Sequence, residues 1–281
     1  MHAEERHAAS TSAGSTTPAG REGEVYRQLA RVYDPELDRP LTELGFIAGV
    51  RVHDGTVTVD FRLPTFWCAA NFAYMMASDI RQRVSALPWV KRMEVRLRDH
   101  FFADEINHAV NHGLSFQEAF PELASGDLEE LRETFRVKAF LRRQERFIRW
   151  LLQQGWDEPA ILGLRVADLE RLRDPGSSGT GAEGYRQGSG EEQGAAGAEV
   201  VAAYLEALRE RGLLGSPDAP ALVDPAGAPI QREYFHAYLR HASRTRLAME
   251  FNTSLCRGLL ETRYGDPPPE QPLRAEPVPC E

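Results

Sequence analysis

An alternation of period two constrains this chain most. Val50 and Val52 alternate with Arg51 and His53, and Val57, Val59, Phe61 and Leu63 alternate with Thr56, Thr58, Asp60 and Arg62. Successive strand side chains point to opposite faces, so each run buries one face. His53-Asp54-Gly55 supplies turn chemistry between them, with Gly free to take a positive φ. A hairpin follows, and Pro64 ends it. From about Cys68 to Leu87 the pattern changes to a helical one. Phe72, Met76, Ile80, Val84 and Leu87 form a drifting apolar stripe, with Arg81, Gln82 and Arg83 among its polar positions. Met93, Val95 and Leu97 then alternate with Glu94, Arg96 and Arg98 as a third strand. A strand–helix–strand crossover favours a parallel pair. Upstream, Val25, Leu29 and Val32 recur at helical spacing, and that helix should stop before Pro35.

The fold class is therefore α+β: a small helix–strand–strand–helix–strand domain over residues 22–100, followed by a mostly α-helical extension. Residues 1–21 are small and polar and are expected to be disordered. A helical extension is expected over 101–173. Within it lie a helix from Leu128 to Gln154, capped by Asp127, and a shorter one from about Pro159 to Leu172. The apolar face of the long helix switches from Leu128, Leu131 and Phe135 to Phe140, Leu141, Phe147, Ile148 and Leu151, so it either kinks near Arg136 or packs against two partners. Residues 174–198 read as a flexible Gly/Ser linker. Residues 199–265 read as helical again, ending in a long amphipathic helix that uses Phe235, Tyr238, Leu239, Phe251, Leu255 and Leu259. Residues 266–281 form a proline-rich tail.

Composition excludes several function classes. The formal charge of −9 argues against a dedicated nucleic-acid binder. No apolar run approaches the ~20 residues that span a bilayer, and Met1 to Gly20 hold no apolar block of the secretory kind. A soluble, cytoplasmic protein is expected. The three cysteines, Cys68, Cys256 and Cys280, contain no C-x-x-C and make no disulfide framework. Cys256 reads as core and Cys280 as incidental.

Cys68 is the most informative of the three. It follows Pro64-Thr65-Phe66-Trp67 and opens a helix, where unpaired N–H groups and the positive dipole end favour an anion. A thiol there is expected to ionise readily, and the thiolate binds metal or attacks electrophiles. The competing reading is a small buried hydrophobe. Asp34-Pro35-Glu36 forms a turn: Pro fixes φ and Asp bonds the backbone. On the residues alone these carboxylates order the turn; the other reading places them beside the Cys68 loop.

Taken together, Val32, Asp34-Pro35-Glu36, Leu41, Leu44-Gly45, Val50, Val52, Asp54-Gly55, Val57, Val59 and the helix-opening Cys68 resemble the iron–sulfur cluster assembly family of SufT- and PaaD-like proteins. The chain would be a long form with a helical C-terminal extension. The resemblance covers about residues 22–99. It implies assistance in iron–sulfur cluster assembly or transfer, with Cys68 as the metal or sulfur contact and Asp34, Glu36 and Thr65 as its nearest supports. The family usually carries prolines two residues before and directly after this cysteine; here those places hold Phe66 and Ala69. A cluster typically takes four protein ligands, so one cysteine implies a transient cluster, shared with a client or across a homodimer. Long relatives resemble proteins associated with multicomponent di-iron monooxygenases, which points to such a client metalloenzyme.

Two further constellations stand outside the resemblance. Glu105 and His108 are three apart and His108 and His112 four apart, so a helix would set all three on one face as an iron or zinc site; solvated or capping histidines are the alternative. Arg142, Arg143, Arg146 and Arg149 form a basic stripe that suits phosphate, a solvated face or client docking. The expected function is a non-enzymatic accessory or maturation factor. The rivals are a metal-free protein–protein interaction module in which Cys68 is structural, and an enzyme using Cys68 as nucleophile with His53 or His100 as base.

Overall fold

The computed structural model describes residues 18–123, 128–173 and 191–265. In chain order the elements are α1 (Pro18–Leu29), the two-residue strands β1 (Tyr33–Asp34) and β2 (Arg39–Pro40), β3 (Ile47–His53), β4 (Thr56–Arg62), α2 (Ala70–Ser85), β5 (Arg92–Arg98), α3 (Ala103–His112), α4 (Phe116–Ala119), α5 (Leu128–Gln153), α6 (Glu158–Gly163), α7 (Val166–Arg173), α8 (Glu191–Glu210), a 3-10 turn at Arg232–Tyr234 and α9 (Phe235–Tyr264). The chain is mixed α+β, with its sheets in the N-terminal region and a mostly helical C-terminal part. The expected cap Asp127, the tail with Cys280, and residues 1–17 and 174–190 lie outside the described residues. Residues 18–21 and 191–198, read from sequence as loose, are helical. Gly197 explains the second difference. It is buried in α8, and a Cβ there would stand 2.7 Å from the Trp150 indole. This glycine serves close helix packing rather than chain freedom.

Two compact units form: one from the residues up to Val32 and Pro40–Ser115, the other from Tyr33–Arg39 and Phe116 onward. In the first, the sheet order is β3-β4-β5. β3 pairs antiparallel with β4, His53 opposite Thr56. Asp54 (φ 49°) and Gly55 (φ 84°) both take the left-handed conformation that a two-residue hairpin turn requires. β5 runs parallel to β4, with Val57 beside Met93, Val59 beside Val95 and Phe61 beside Leu97. The alternating residues Val57, Val59, Phe61, Val95 and Leu97 are buried, together with Ala73, Met76, Ile80 and Val84 of α2. The period-two and helical stripes thus meet in one core.

β5 is an outer strand whose outward backbone groups are satisfied by side chains. Asn107 of α3 accepts from Leu97 N–H (2.7 Å) and donates to its carbonyl (3.1 Å). One turn on, Asn111 does the same for Val95 (2.9 and 2.8 Å). Arg81 donates to the Met93 carbonyl (2.7 Å). Residues i and i+4 of a helix lie 6 Å apart along its axis, roughly the spacing of alternate strand residues, so two asparagines can read two rungs.

The helical unit is built around α5, which packs against both α8 and α9. That accounts for its switched apolar face. Phe140, Phe147, Ile148 and Leu151 join Val201, Tyr204, Leu205 and Phe235 in its core. The segment expected as one helix over 159–172 is two, α6 and α7, broken at Leu164-Arg165. Arg142-Arg143-Gln144-Glu145 are four consecutive polar residues, all buried. Asp38 binds Arg142 (2.9 Å) and Arg143 (2.6 Å). Gln144 donates to Tyr204 Oη and the Val223 carbonyl, and Tyr238 donates to it. Glu145 pairs with Arg149 and Arg246. The basic stripe read from sequence is therefore no open face: two of its arginines are enclosed and neutralised. Burial opposes charge on Arg143, and Asp38 and Glu210 outweigh it, holding its pKa above the ordinary arginine value.

In α9, Phe235, Ala242, Met249 and Leu260 are buried, whereas Phe251 (69 % exposed), Leu255 (53 %) and Leu259 are not. The expected single apolar face is two faces on opposite sides of the helix, and Cys256 is half-buried rather than core.

Removing either ladder asparagine orphans two strand groups. We expect Asn111→Ala to cost about 1–3 kcal/mol in denaturant unfolding and to speed hydrogen exchange at Val95. Asp38→Asn leaves two enclosed guanidiniums short of charge and should cost about 3–5 kcal/mol by the same assay.

Candidate functional site

Parallel pairing sets the C-terminal ends of β4 and β5 side by side, Arg62 opposite Arg98. The loops that leave these two ends therefore share one edge of the sheet, the position where open α/β sheets bind ligands. The first loop carries Pro64 to Ala69. The second turns at Asp99, whose φ of 51° is a left-handed conformation that Asp tolerates better than bulkier residues. Phe101 N–H donates to the Phe66 carbonyl (2.9 Å). His100 Nε2–H donates to the Cys68 carbonyl (2.8 Å), while its Nδ1 accepts from Phe102 N–H (3.1 Å). The second of these bonds fixes the tautomer. His100 is buried and acts as a stitch between loops. Its two nitrogens are committed, so it is no base for Cys68. His53 stands at the hairpin turn, almost fully exposed beside Asp54, separated from the Cys68 loop by the length of β4, about 20 Å.

Cys68 precedes the helix rather than opening it: Ala69 is the N-cap and α2 starts at Ala70. Its thiol is half-buried and unoxidised. Thr65 Oγ1 lies 3.0 Å from Cys68 Sγ, so the structure joins these two sequence-predicted residues directly. A thiolate there would accept the hydroxyl proton as a charge-assisted hydrogen bond. Around the pair stand Phe66, Trp67 (77 % exposed) and Phe101, all solvent-facing. The Phe66 and Phe101 rings meet edge to face at 5.9 Å, and Phe101 and Phe102 at 4.8 Å. The result is a half-buried cysteine, bonded to Thr65, on a loop that also carries exposed aromatic rings. Sequence reasoning did not assign the rim residue Phe101 or the stitch His100 these parts; neither carries a local signal, because both depend on which loops the parallel pairing brings together.

Asp34 and Glu36 belong to the segment that folds with the helical unit. Asp34 is buried, and its Oδ1 accepts from the N–H groups of Glu36 and Leu37, both at 2.9 Å. This is the turn-ordering role read from the residues alone. Glu36 Oε1 accepts from Asn252 of α9 (3.3 Å). Burial pushes Asp34 up to about 6, against the pull of its two backbone hydrogen bonds; the Glu36 charge adds to the rise. On α3, the His108 and His112 rings lie 4.3 Å apart, and His112 Nδ1–H donates to the His108 carbonyl oxygen at 2.8 Å. Among the described residues no three His, Cys, Asp or Glu side chains converge on one point, Glu105, His108 and His112 included.

Comparison with known proteins bears on this same part of the chain. Residues 22–97 match the model of a family described as iron-sulfur cluster assembly protein. Over 89 residues the chain is 28 % identical to Fe-S cluster assembly factor HCF101, a chloroplastic protein of Arabidopsis thaliana; the match covers 32 % of this chain and 17 % of that relative. The chain thus spans less than a fifth of the relative's length. No solved structure matches. The two matches support an iron–sulfur cluster assembly family for this region. Among the described residues no helix is long and apolar enough to cross a membrane.

The Asp34 carboxyl gives a pH prediction. Its folded value lies above that of an unfolded aspartate, so between about pH 4 and 6 only the folded state holds the proton, and stability falls as pH rises through that window. About two pKa units correspond to roughly 3 kcal/mol. Asp34→Asn keeps the amide oxygen for the two backbone bonds and should flatten that stretch of the stability curve, measured by urea unfolding at successive pH values.

Proposed function

We propose, from the premise that residues 22–97 form an iron–sulfur cluster assembly domain, that this protein is an accessory factor that helps deliver iron–sulfur cargo to a client metalloenzyme. It would act as a carrier, without catalysing turnover. The observation that carries this reading is the Thr65–Cys68 pair: a half-buried free thiol, 3.0 Å from a hydroxyl, inside an exposed aromatic rim. A thiol that is not enclosed by the core can meet iron or sulfide, and the hydroxyl beside it gives it a polar neighbour.

The donor set speaks for handover rather than storage. One thiolate and one hydroxyl fall far short of the four ligands a cluster typically takes. Cargo held by Cys68 would keep open positions for the client's own ligands or for Cys68 of a second copy. Phe66, Trp67 and Phe101 would form the apolar surface on which the client settles while its ligands replace Cys68. A large aromatic surface with few rotors loses little entropy on docking, which suits a brief encounter. The SufT/PaaD-like kinship suggested by the motif, and the long form with a helical extension, make a multicomponent di-iron monooxygenase the client class of choice. A cytoplasmic setting belongs to the same reading.

The same aromatic rim supports a second reading, a metal-free docking module in which Cys68 only packs. Iron and acid-labile sulfide content after anaerobic reconstitution separates the two. On the carrier reading, wild type takes up iron and sulfide and Cys68→Ala does not. Thr65→Val, which removes the hydroxyl 3.0 Å from the sulfur, still takes up iron and sulfide but loses them faster to a chelator than wild type. Equal iron in wild type and Cys68→Ala, or none in either, would leave the docking module.

A further inference from the structure

The second apolar face of α9 has no part in the cluster-handling reading. Leu247, Phe251, Leu255 and Leu259 follow at every fourth position and are all exposed. At about 100° per residue they form one ridge, half a turn away from the buried Ala242, Met249 and Leu260. Ala248, Ser254, Gly258 and Thr262 fill the remaining positions of that face. The charged residues nearby, Arg246, Glu250, Arg257 and Glu261, fall toward the opposite side, and Arg246 is paired with Glu250. From Leu247 to Thr262 an apolar face about 20 Å long is thus left open on a surface helix, with the exposed Arg244 at its N-terminal end.

The rest of the chain has little to lay over it. Residues 1–17, 124–127, 174–190 and 266–281 contribute only Met1, Tyr185, Leu273 and Val278 as large apolar side chains, scattered among Gly, Ser, Pro and charge. No amphipathic segment remains to match a four-residue ridge. The face does match itself. Its members are arranged symmetrically about Thr253: Leu247 with Leu259, Phe251 with Leu255, Ala248 with Gly258. A two-fold axis at that level would set each against its counterpart in another chain, as an isologous interface demands. Ridges of i±4 spacing pack on one another at about −50°. The crossing point then falls at Phe251 and Leu255, and the small Ala248 and Gly258 beside them allow close approach. A Cβ at Gly258 would meet nothing within 4 Å in one chain, so its smallness has no use inside the monomer.

We propose that this face binds a second copy of the chain, α9 crossing α9 about a two-fold axis that passes between Phe251 and Leu255, at the axial level of Thr253, whose own side chain lies on the far side of the helix. The contact rests on Phe251 and Leu255 and is independent of iron or of Cys68, so it can stand or fall apart from the cluster-handling reading. A single helix crossing buries less than the ~800 Å² per partner of standard interfaces, so association is best followed by sedimentation from about 1 to 200 µM.

The full chain should move with concentration from the 31.5 kDa monomer to twice that mass. Phe251→Glu and Leu255→Glu should each hold it at the monomer mass across the whole range. Gly258→Leu adds apolar surface, which would promote non-specific clumping, yet it should weaken the dimer by filling the crossing. Circular dichroism and melting temperature of the variants should match wild type, because all three positions are exposed; a variant that fails this check is set aside and the others decide. A wild-type monomer at every concentration would overturn the proposal. So would a dimer that survives all three substitutions, or one that Gly258→Leu strengthens.

Discussion

A single carboxylate against two enclosed guanidiniums organises the helical half of this protein. Asp38 lies in a segment between α1 and β3, far in sequence from α5, and meets Arg142 and Arg143 there. Charges taken out of water are tolerable only when paired and hydrogen-bonded, so this contact fixes where the segment Tyr33–Arg39 must sit. The helical unit is thereby completed by seven residues from within the region that matches the cluster assembly family. The helical unit borrows these residues of chain from the family-like region.

That borrowing changes how the Asp34-Pro35-Glu36 turn is understood. Its carboxylates look, in sequence, like companions for Cys68. In the structure Asp34 spends its oxygen on two backbone N–H groups, and Glu36 reaches α9. The partner that the sulfur does have is Thr65, three residues away on the same loop. Of the exposed rim, Phe66 holds one of the two places where the resembled family usually carries proline; Ala69 holds the other. At Phe66 rigid ring closure is replaced by bulky, solvent-facing carbon.

Elements whose signals are local were legible. Val57, Val59 and Phe61 announce a strand by alternation, Asp54-Gly55 a tight turn, and the helix between them forces β5 to run parallel. What escaped the sequence depends on tertiary partners. Arg142 and Arg143 look solvated until Asp38 arrives from a hundred residues upstream. Gly197 looks like linker until Trp150 is seen against it. Phe251 and Leu255 look like core because a helical period marks an apolar face without saying what covers it. The Thr65–Cys68 contact is local to one short loop; His100 reads in sequence as an imidazole base, while its structural use lies in joining two loops that only the sheet brings together.

The asparagine ladder on β5 has a consequence for how another chain can bind. An outer strand ordinarily invites an extended peptide to add itself to the sheet, main chain to main chain. Here Asn107, Asn111 and Arg81 already occupy the rungs such a peptide would need. Strand augmentation is closed on that side, and so is the route to runaway sheet polymers. Main-chain recognition along β5 is therefore denied by construction, and what approaches this strand meets the side chains of α2 and α3 instead.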